Sequence, residues 1–238
     1  MLPNSAAGWA AAAGALGAAA WVGYGWGAQC ALPLLAARRG PPASRRVALT
    51  FDDGPDPEAT PRLLAMLARR SVRATFFLIG ERAARHPEIV RAIVADGHEV
   101  GNHTWHHRNA WFLTPAQTAS EILGGRRILA EITGLAPTLY RPPWGIVNAP
   151  ALLTARRAGL RTVLWSLQTE GLRPRSSEDQ LRHCTRRLAD GAIVDLHDAP
   201  GLPGAPERLL GVMPGLLDLL EARGLAAVPV GTLLAPSP

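Results

Sequence analysis

Short apolar runs alternate with segments of helical periodicity along most of the chain, and this alternation constrains the fold more than any other feature. Strands are predicted at 47–51, 74–79, 97–103, 139–145, 161–167, 192–196 and 226–230, and helices at 57–70, 87–96, 114–134, 149–158, 177–189 and 206–223. Strands that alternate with helices form a mainly parallel sheet. Because so many repeats suit a closed arrangement better than an open sheet, the sequence predicts an α/β fold, a distorted (β/α) barrel.

The composition argues against a nucleic-acid-binding protein. All 25 basic residues are arginines, and the formal net charge is +6. The arginine pairs are scattered and form no single stripe with interleaved aromatic residues, as a nucleic-acid-binding surface would need. An anionic membrane surface fits this charge better. Cys30 and Cys184 indicate neither a disulfide framework nor a zinc pair.

No charged residue occurs between positions 6 and 37, a length sufficient to cross a bilayer. We expect an uncleaved membrane anchor, with a cleavable signal peptide as the alternative. The arginines that follow favour a cytoplasmic domain, but a break at Pro33 would reverse this, so the side of the membrane stays open. The chain is divided into residues 1–40, an apolar helical anchor or signal segment with a short linker, and residues 41–238, one folded domain.

Two adjacent carboxylates end the first predicted strand. The run 47–51 leads directly into Asp52 and Asp53, which a Gly-Pro turn follows. Both charges cannot be buried in a core without partners, because the loss of hydration is costly. At the C-terminal end of a strand they can face a cleft, where one can hold a metal ion and the other can accept a proton. Alone, the pair is also typical of a solvated turn.

Histidines follow a second predicted strand. His103 and His107 are four residues apart, a spacing that lets two imidazoles on one helical turn bind one metal ion. His106 does not fit this pair and is interpreted as a neighbour of it. A surface histidine cluster is the alternative.

Two further motifs also lie at predicted strand ends. Arg141 and Trp144 flank two prolines that fix the backbone, so the arginine can orient a carboxylate and the indole can stack on a sugar. His197 ends a late strand, where an imidazole can act as a general acid or base. An ordinary turn and a capping histidine are the alternatives when each motif is taken alone. All four motifs together predict one site on one rim of the barrel.

In order and spacing, these motifs are similar to those of the polysaccharide deacetylase family, also called the NodB-homology domain or carbohydrate esterase family 4. The matching stretches are Thr-Phe-Asp-Asp-Gly-Pro from residue 50, His-Thr-x-x-His from residue 103, Arg-Pro-Pro-Trp-Gly from residue 141 and Leu-His-Asp from residue 196. The resemblance covers residues 45–235 and leaves out the leader. It implies a distorted (β/α) barrel and metal-dependent N-deacetylation.

The resemblance also implies a role for each residue. Asp53, His103 and His107 would bind a divalent metal, with zinc the expected ion. Asp52 would be the general base for the attacking water, and Arg141 would orient it. His197 would protonate the departing amine, and the backbone N–H of Trp144 would help to bind the oxyanion. The residues expected beside the substrate are Trp105, Pro143, Trp144, Asp195 and Leu196.

The sequence departs from the family pattern at two places. The fourth family motif carries an aspartate and a tryptophan, but residues 165–172 contain neither an aspartate nor a following tryptophan, and Glu170 is the candidate replacement. The family's Leu-x-His pattern becomes Asp195-x-His197. Asp195 would either make the acyl pocket more polar or supply the missing charge that orients His197.

The leading interpretation is a membrane-associated hydrolase of the cell envelope that removes N-acetyl groups from amino sugars of peptidoglycan or a related glycan. Two alternatives stay open: a deformylase or deacylase of a lipid-linked amino sugar, and a non-catalytic carbohydrate-binding protein on the same fold. The expected partners are the N-acetylated glycan or lipid-linked amino sugar and, through the N-terminal segment, the membrane. No nucleic acid is expected.

Overall fold

The computed structural model describes residues 21–171, 174–201 and 204–235, together with Gly14 and Gly17. Much of the segment predicted to be a membrane anchor therefore lies outside the described residues, as does Leu172 of the fourth motif. Within the described ranges, no helix combines the length and the apolar character of a membrane span.

A single curled sheet of parallel strands forms the centre of the molecule. In the described part of the chain its strands are β1 (Arg46–Asp52), β2 (Thr75–Leu78), β3 (Glu99–Asn102), β4 (Leu139–Tyr140), β5 (Arg161–Thr162), β6 (Leu167–Gln168), β7 (Ile193–His197) and β8 (Ala226–Ala227). Their order is β5-β4-β3-β2-β1-β7-β6, and β8 pairs with the first residues of β1. The parallel sheet and the distorted (β/α) barrel expected from the alternating pattern are confirmed.

Helices surround this sheet. Among the described residues these α-helices are α1 (Ala28–Leu35), α2 (Ala59–Arg69), α3 (Gly80–Arg85), α4 (Pro87–Ala95), α5 (Pro115–Thr133), α6 (Ala149–Arg157), α7 (Ser177–Arg187), α8 (Ala205–Ala222) and α9 (Val230–Leu233). Their starts follow local chemistry: Pro87 opens α4, and Thr114 caps α5 in a capping box with Gln117. A π-helical segment, Gly23–Gly27, precedes α1. Helices α3 and α9 were not predicted.

The alternation of β1 determines which side chains reach the site. Leu49 and Phe51 pack into the large hydrophobic core against the helices. Ala48 belongs to a smaller cluster on the opposite, inner face of the sheet. Because successive strand residues point to opposite faces, Thr50 and Asp52 lie on the inner face with Ala48.

Residues 161–167 do not form the one continuous strand that was predicted. The first half, β5, pairs with β4, whereas the second half, β6, pairs with β7. The chain changes partners between them, so a single straight strand is impossible. The backbone of Ala37 enters this gap, where its N–H donates to Thr162 and its carbonyl accepts from Leu164.

The predicted strand at 226–230 is also shorter than expected. It pairs with β1 only through Ala226 and Ala227. Pro229 has no N–H to donate to a neighbouring strand, and α9 begins directly after it.

Helix α1 packs against the domain, although it precedes the expected boundary at residue 40. Ala28 and Leu32 are buried in a cluster with residues of α6, among them Ala151 and Ala155. After the helix, Gly40 N–H donates to the Gly191 carbonyl. The division of the chain at residue 40 stays a prediction, but the residues on either side of it share one core.

Candidate active site

The chemistry-bearing residues meet at the C-terminal ends of the central strands. Asp52 is the last residue of β1, and His197 is the last residue of β7, directly opposite it in the register. His103 follows β3, and Arg141 follows β4. The expectation that the four motifs share one rim is therefore met, because parallel neighbours bring these strand ends to one edge.

Several site residues have a left-handed backbone, which is rare outside glycine. Asp53, His107 and Trp144 have φ values of 73°, 57° and 53°. Hydrogen bonds hold the first two turns: the Arg82 guanidinium donates to the Asp53 carbonyl, and His107 N–H donates to the Thr104 hydroxyl. The two histidines thus meet through an irregular loop after β3. The prediction that they lie on one helical turn is wrong.

The three predicted metal ligands converge; we call Asp53, His103 and His107 the metal-ligand triad. Asp53 Oδ1 lies 3.5 Å from His103 Nε2 and 3.2 Å from His107 Nε2. One candidate ligand atom from each residue lies within 4.8 Å of the other two. Such an arrangement can enclose one cation.

The hydrogen bonding of the triad fits a metal ion. His103 Nδ1 donates to the Arg141 carbonyl at 2.7 Å, which leaves the Nε2 lone pair directed at Asp53. Within the described residues, no hydrogen bond reaches Asp53 Oδ1, which is buried. A buried carboxylate oxygen facing two imidazole nitrogens needs a shared proton or a cation, and one oxygen with two nitrogen donors suits zinc.

The pKa values of the triad reflect the same crowding. Burial opposes ionisation of Asp53, but His103 and His107 hold its pKa well below the usual range. Burial also opposes charge on His103, yet the two aspartates raise its pKa. Burial and the neighbouring His103 lower the pKa of His107 to about 4. In the absence of an ion, a proton would therefore reside on His103.

His106 points elsewhere, as expected. Its backbone N–H and its Nδ1 both contact the Glu121 carboxylate of α5, at 2.8 and 2.7 Å. It therefore braces the loop against a helix and does not join the triad.

A second group lies beside the triad; we call Asp52, Arg141, Asp195 and His197 the acid–base tetrad. Arg141 is fully buried, and its Nη1 donates to Asp52 Oδ1 at 2.7 Å and to Asp195 Oδ1 at 3.4 Å. Candidate ligand atoms of Asp52, Asp195 and His197 lie within 4.8 Å of one another. The tetrad thus contains its own cation, Arg141, between two carboxylates.

Asp195 sets the charge state of this group. Burial raises the pKa of Asp195, while the positive charges of His197 and Arg141 act in the opposite direction and favour the carboxylate. Burial opposes charge on His197, but Asp195 first and Asp52 second raise the pKa of the imidazole. His197 is therefore biased toward the protonated form that a general acid requires.

Glu170 does not replace the missing aspartate of the fourth motif. Its carboxylate pairs with Arg208 of α8 at 2.8 Å and accepts a hydrogen bond from Gln180. Asp195 instead lies opposite Gln168 in the register between β6 and β7. Residues 165–172 lack the family's aspartate, and Asp195 thus places a carboxylate one strand away from them.

The residues expected beside the substrate differ in their exposure to solvent. Trp144 is 57% exposed, and its ring centroid lies 4.3 Å from that of His107. Pro143 is buried and shapes the turn. Leu196 was expected at the substrate, but it is buried in the large core, because it points to the opposite face from Asp195 and His197.

Trp105 also has a packing position. A Cβ at Gly80 would lie 2.8 Å from its Cε3, so α3 approaches the indole closely only because residue 80 is glycine. Gly124 of α5 lies on the same ring. The half-buried indole therefore packs between these two helices, and its predicted contact with the substrate stays a prediction.

Two site residues were missed. The Thr50 hydroxyl accepts from Arg141 at 2.7 Å and donates to the Val194 carbonyl, and the period of two that aligns it with Asp52 could have indicated it. Gln29 contacts the turn that follows Trp144 and had no sequence signal.

Comparisons with known proteins agree with this geometry. A sequence model described as "Polysaccharide deacetylase" matches residues 39–163. The chain is 36% identical over 195 residues to a peptidoglycan-N-acetylglucosamine deacetylase of Bacillus cereus, covering 79% of this chain and 87% of that protein. It is 39% identical over 181 residues to a chitooligosaccharide deacetylase of Bradyrhizobium sp., covering 74% and 82%.

A solved structure has the same fold. The crystal structure of a peptidoglycan N-acetylglucosamine deacetylase in complex with 4-naphthalen-1-yl-N-oxidanyl-benzamide matches with a TM-score of 0.80 and 32% identity, covering 85% of this chain and 94% of that one. The matched sequence model spans more than half of the chain and includes the motifs at residues 50, 103 and 141. The chain therefore belongs to the polysaccharide deacetylase family.

Proposed function

We propose that this protein is a metal-dependent hydrolase that removes N-acetyl groups from the amino sugars of peptidoglycan or a related envelope glycan. The observation that carries the proposal is the contact between two groups of different chemistry. Asp52 Oδ2 of the tetrad lies 3.8 Å from His103 Nε2 of the metal-ligand triad. A base is thus positioned beside a cation site.

The family is metal-dependent, and we propose that the ion here is zinc. One carboxylate and two imidazoles leave open positions for water and substrate. A zinc ion bound there would lower the pKa of a coordinated water and polarise the acyl carbonyl.

Asp52 and His197 of the tetrad each carry out one of the two proton transfers. Asp52 is fixed by Arg141 and takes the proton of the attacking water. His197, kept protonated by Asp195, gives a proton to the departing amine. The two carboxylates thus have different duties, because Asp52 accepts a proton while Asp195 keeps one on the imidazole.

Trp144 closes the side of the site next to His107. Its exposed indole offers a face on which a sugar ring can stack. Its backbone N–H belongs to a tight left-handed turn and supplies a donor for the oxyanion.

We also propose that the protein is membrane-associated in the cell envelope, through its N-terminal segment. The uncharged stretch 6–37 supports this, and so do the large apolar side chains that α1 and the helical residues just before it expose. They are Trp21, Trp26, Leu34 and Leu35.

A formyl-amino sugar is a less favoured substrate. The arginines that follow the N-terminal segment and an altered acyl pocket favoured it, but the Asp195 carboxylate, which was to alter that pocket, is engaged by Arg141. A non-catalytic role is less favoured as well, because it leaves the paired base and acid without a purpose.

The direct test is product analysis of the full chain loaded with zinc. We expect acetate from peptidoglycan fragments or N-acetylglucosamine oligomers, and no formate from a lipid-linked formyl-amino sugar. Asp52→Asn keeps the shape of the base and should retain zinc while it loses acetate release. Formate release would support the deformylase, and glycan binding without any release would support the non-catalytic protein.

A further inference from the structure

The turn after Trp144 is held from outside the catalytic motifs. The Gln29 side chain of α1 donates from Nε2 to the Gly145 carbonyl at 2.8 Å. Its Oε1 accepts from Val147 N–H at 3.0 Å. A carbonyl can only accept and an N–H can only donate, so one orientation of the amide satisfies both groups.

Neighbouring residues strengthen this connection. Asn148, which caps α6, donates from its side chain to the Tyr24 hydroxyl at 3.0 Å, and that hydroxyl donates to the Leu113 carbonyl. The Trp111 indole N–H donates to the Val147 carbonyl at 2.9 Å and packs edge-to-face on Trp21. Gly145, Val147 and Asn148 are thus each hydrogen-bonded to a side chain of the N-terminal segment.

The turn needs such a support. Trp144 and Gly145 are both left-handed, with φ values of 53° and 67°. Two consecutive left-handed residues are uncommon when one of them is not glycine. Such a conformation persists only when surrounding contacts hold it in place. The Gln29 side-chain amide bonds to the Gly145 carbonyl and to Val147 N–H, which belong to the two peptide groups on either side of Ile146. It therefore limits the rotation of both peptide groups.

We propose that Gln29 is a positioning residue of the active site, which fixes the direction of the Trp144 N–H and indole through the turn 145–147. The inference rests on the proposed function for its kinetic consequence only. It also makes α1 part of the working enzyme, although the family match begins at residue 39.

The experiment compares Gln29→Met with Leu34→Met in the full chain. Methionine keeps the length of glutamine without its hydrogen bonds, and Leu34 is exposed on the same helix. Because a small misplacement of a transition-state donor is costly, we expect kcat of Gln29→Met to fall about tenfold or more with KM within about threefold. Leu34→Met should match the parent, and both variants should bind zinc as the parent does.

Amide hydrogen exchange supplies a readout that does not depend on turnover. Gln29→Met should exchange faster at residues 145–148 and unchanged in β1. Parent kcat together with parent exchange rates at 145–148 would overturn the inference, and so would a loss of activity fully explained by unfolded or zinc-free protein. If the parent itself released no acetate, the proposed function would fail, and the exchange rates alone would decide on Gln29.

Discussion

The two halves of the site differ in the source of their positive charge. The metal-ligand triad places one carboxylate against two imidazoles and contains no permanent cation. The acid–base tetrad places Arg141 between Asp52 and Asp195. The triad is therefore complete only with an added ion, whereas the tetrad is balanced by the chain itself. One rim of parallel strands thus carries a binding site and a proton-transfer site that respond differently to metal removal.

The largest expected effect comes from removing the carboxylate of the triad. Asp53→Ala deletes the only negative ligand among the three, so zinc should be lost and kcat/KM should fall at least about a thousandfold. His106→Ala, in the same loop but bound to Glu121, should keep zinc and remain within about threefold of the parent. Zinc content and acetate release measure both. Retained zinc with retained activity in Asp53→Ala would break the comparison.

A buried carboxylate outside both groups should affect stability. Asp198 accepts from the Thr60 hydroxyl, and burial raises its pKa to about 7. The folded chain therefore holds this proton more tightly than the unfolded chain, so its contribution is present below about pH 4 and is lost as the pH rises through about 7. Asp198→Asn removes this loss and should be more stable than the parent at pH 8, by up to about 4 kcal/mol, in the metal-free form.

Chemical denaturation between pH 4 and 8 measures this difference. Asp218→Asn, on the exposed side of α8, serves as the control and should follow the parent curve. Curves for Asp198→Asn and the parent that stay parallel over this range would contradict the assignment.

Within the tetrad, the charge of Asp195 should set the alkaline limit of activity. Asp195 raises the pKa of His197, so Asp195→Leu should lower it, and the proton that His197 donates is then lost at a lower pH. We expect the alkaline limb of the kcat profile to shift to lower pH, with activity reduced about tenfold at pH 8.

Glu170→Gln is the matched control, because Glu170 is paired with Arg208 and should shift the limb clearly less. Adding Gln168→Asp to Asp195→Leu returns a carboxylate to the neighbouring strand and should restore part of the lost activity. An unchanged limb in Asp195→Leu would remove Asp195 from the mechanism.

The smallest effect is expected at the exposed wall. Trp144→Ala removes the indole but keeps the backbone N–H, so KM for a glycan oligomer should rise about threefold with little change in kcat. Trp144→Phe keeps an aromatic face, so its KM should lie between those of the parent and Trp144→Ala. A fall in kcat alone would show that the side chain acts through the turn and not through the sugar.

Much of the rim was predictable because its motifs lie at strand ends. Asp52, Asp53 and His197 end strands whose apolar runs are evident in the sequence, and parallel pairing brings such ends together. Leu196 was misplaced although the period of two that exposes His197 also turns Leu196 into the core. For Leu196 the strand periodicity predicted the correct face, but the family motif was given more weight.

Other features depend on packing between distant segments. The choice between two roles for Asp195 required the register of β7 with β1 and β6. Trp105 needed the approach of α3, which no periodicity had indicated. Gln29 lies 116 residues from Gly145, and its side chain finds the turn only after α1 docks on α6.

The proposed function depends on Asp53, His103 and His107 holding one cation beside Asp52. Anomalous diffraction at the zinc absorption edge, from crystals of the full chain grown with zinc, tests it most directly. We expect one ion about 2.0–2.2 Å from Asp53 Oδ1, His103 Nε2 and His107 Nε2. A zinc-loaded crystal with no anomalous peak among these three atoms, or with the ion bound elsewhere, would contradict it.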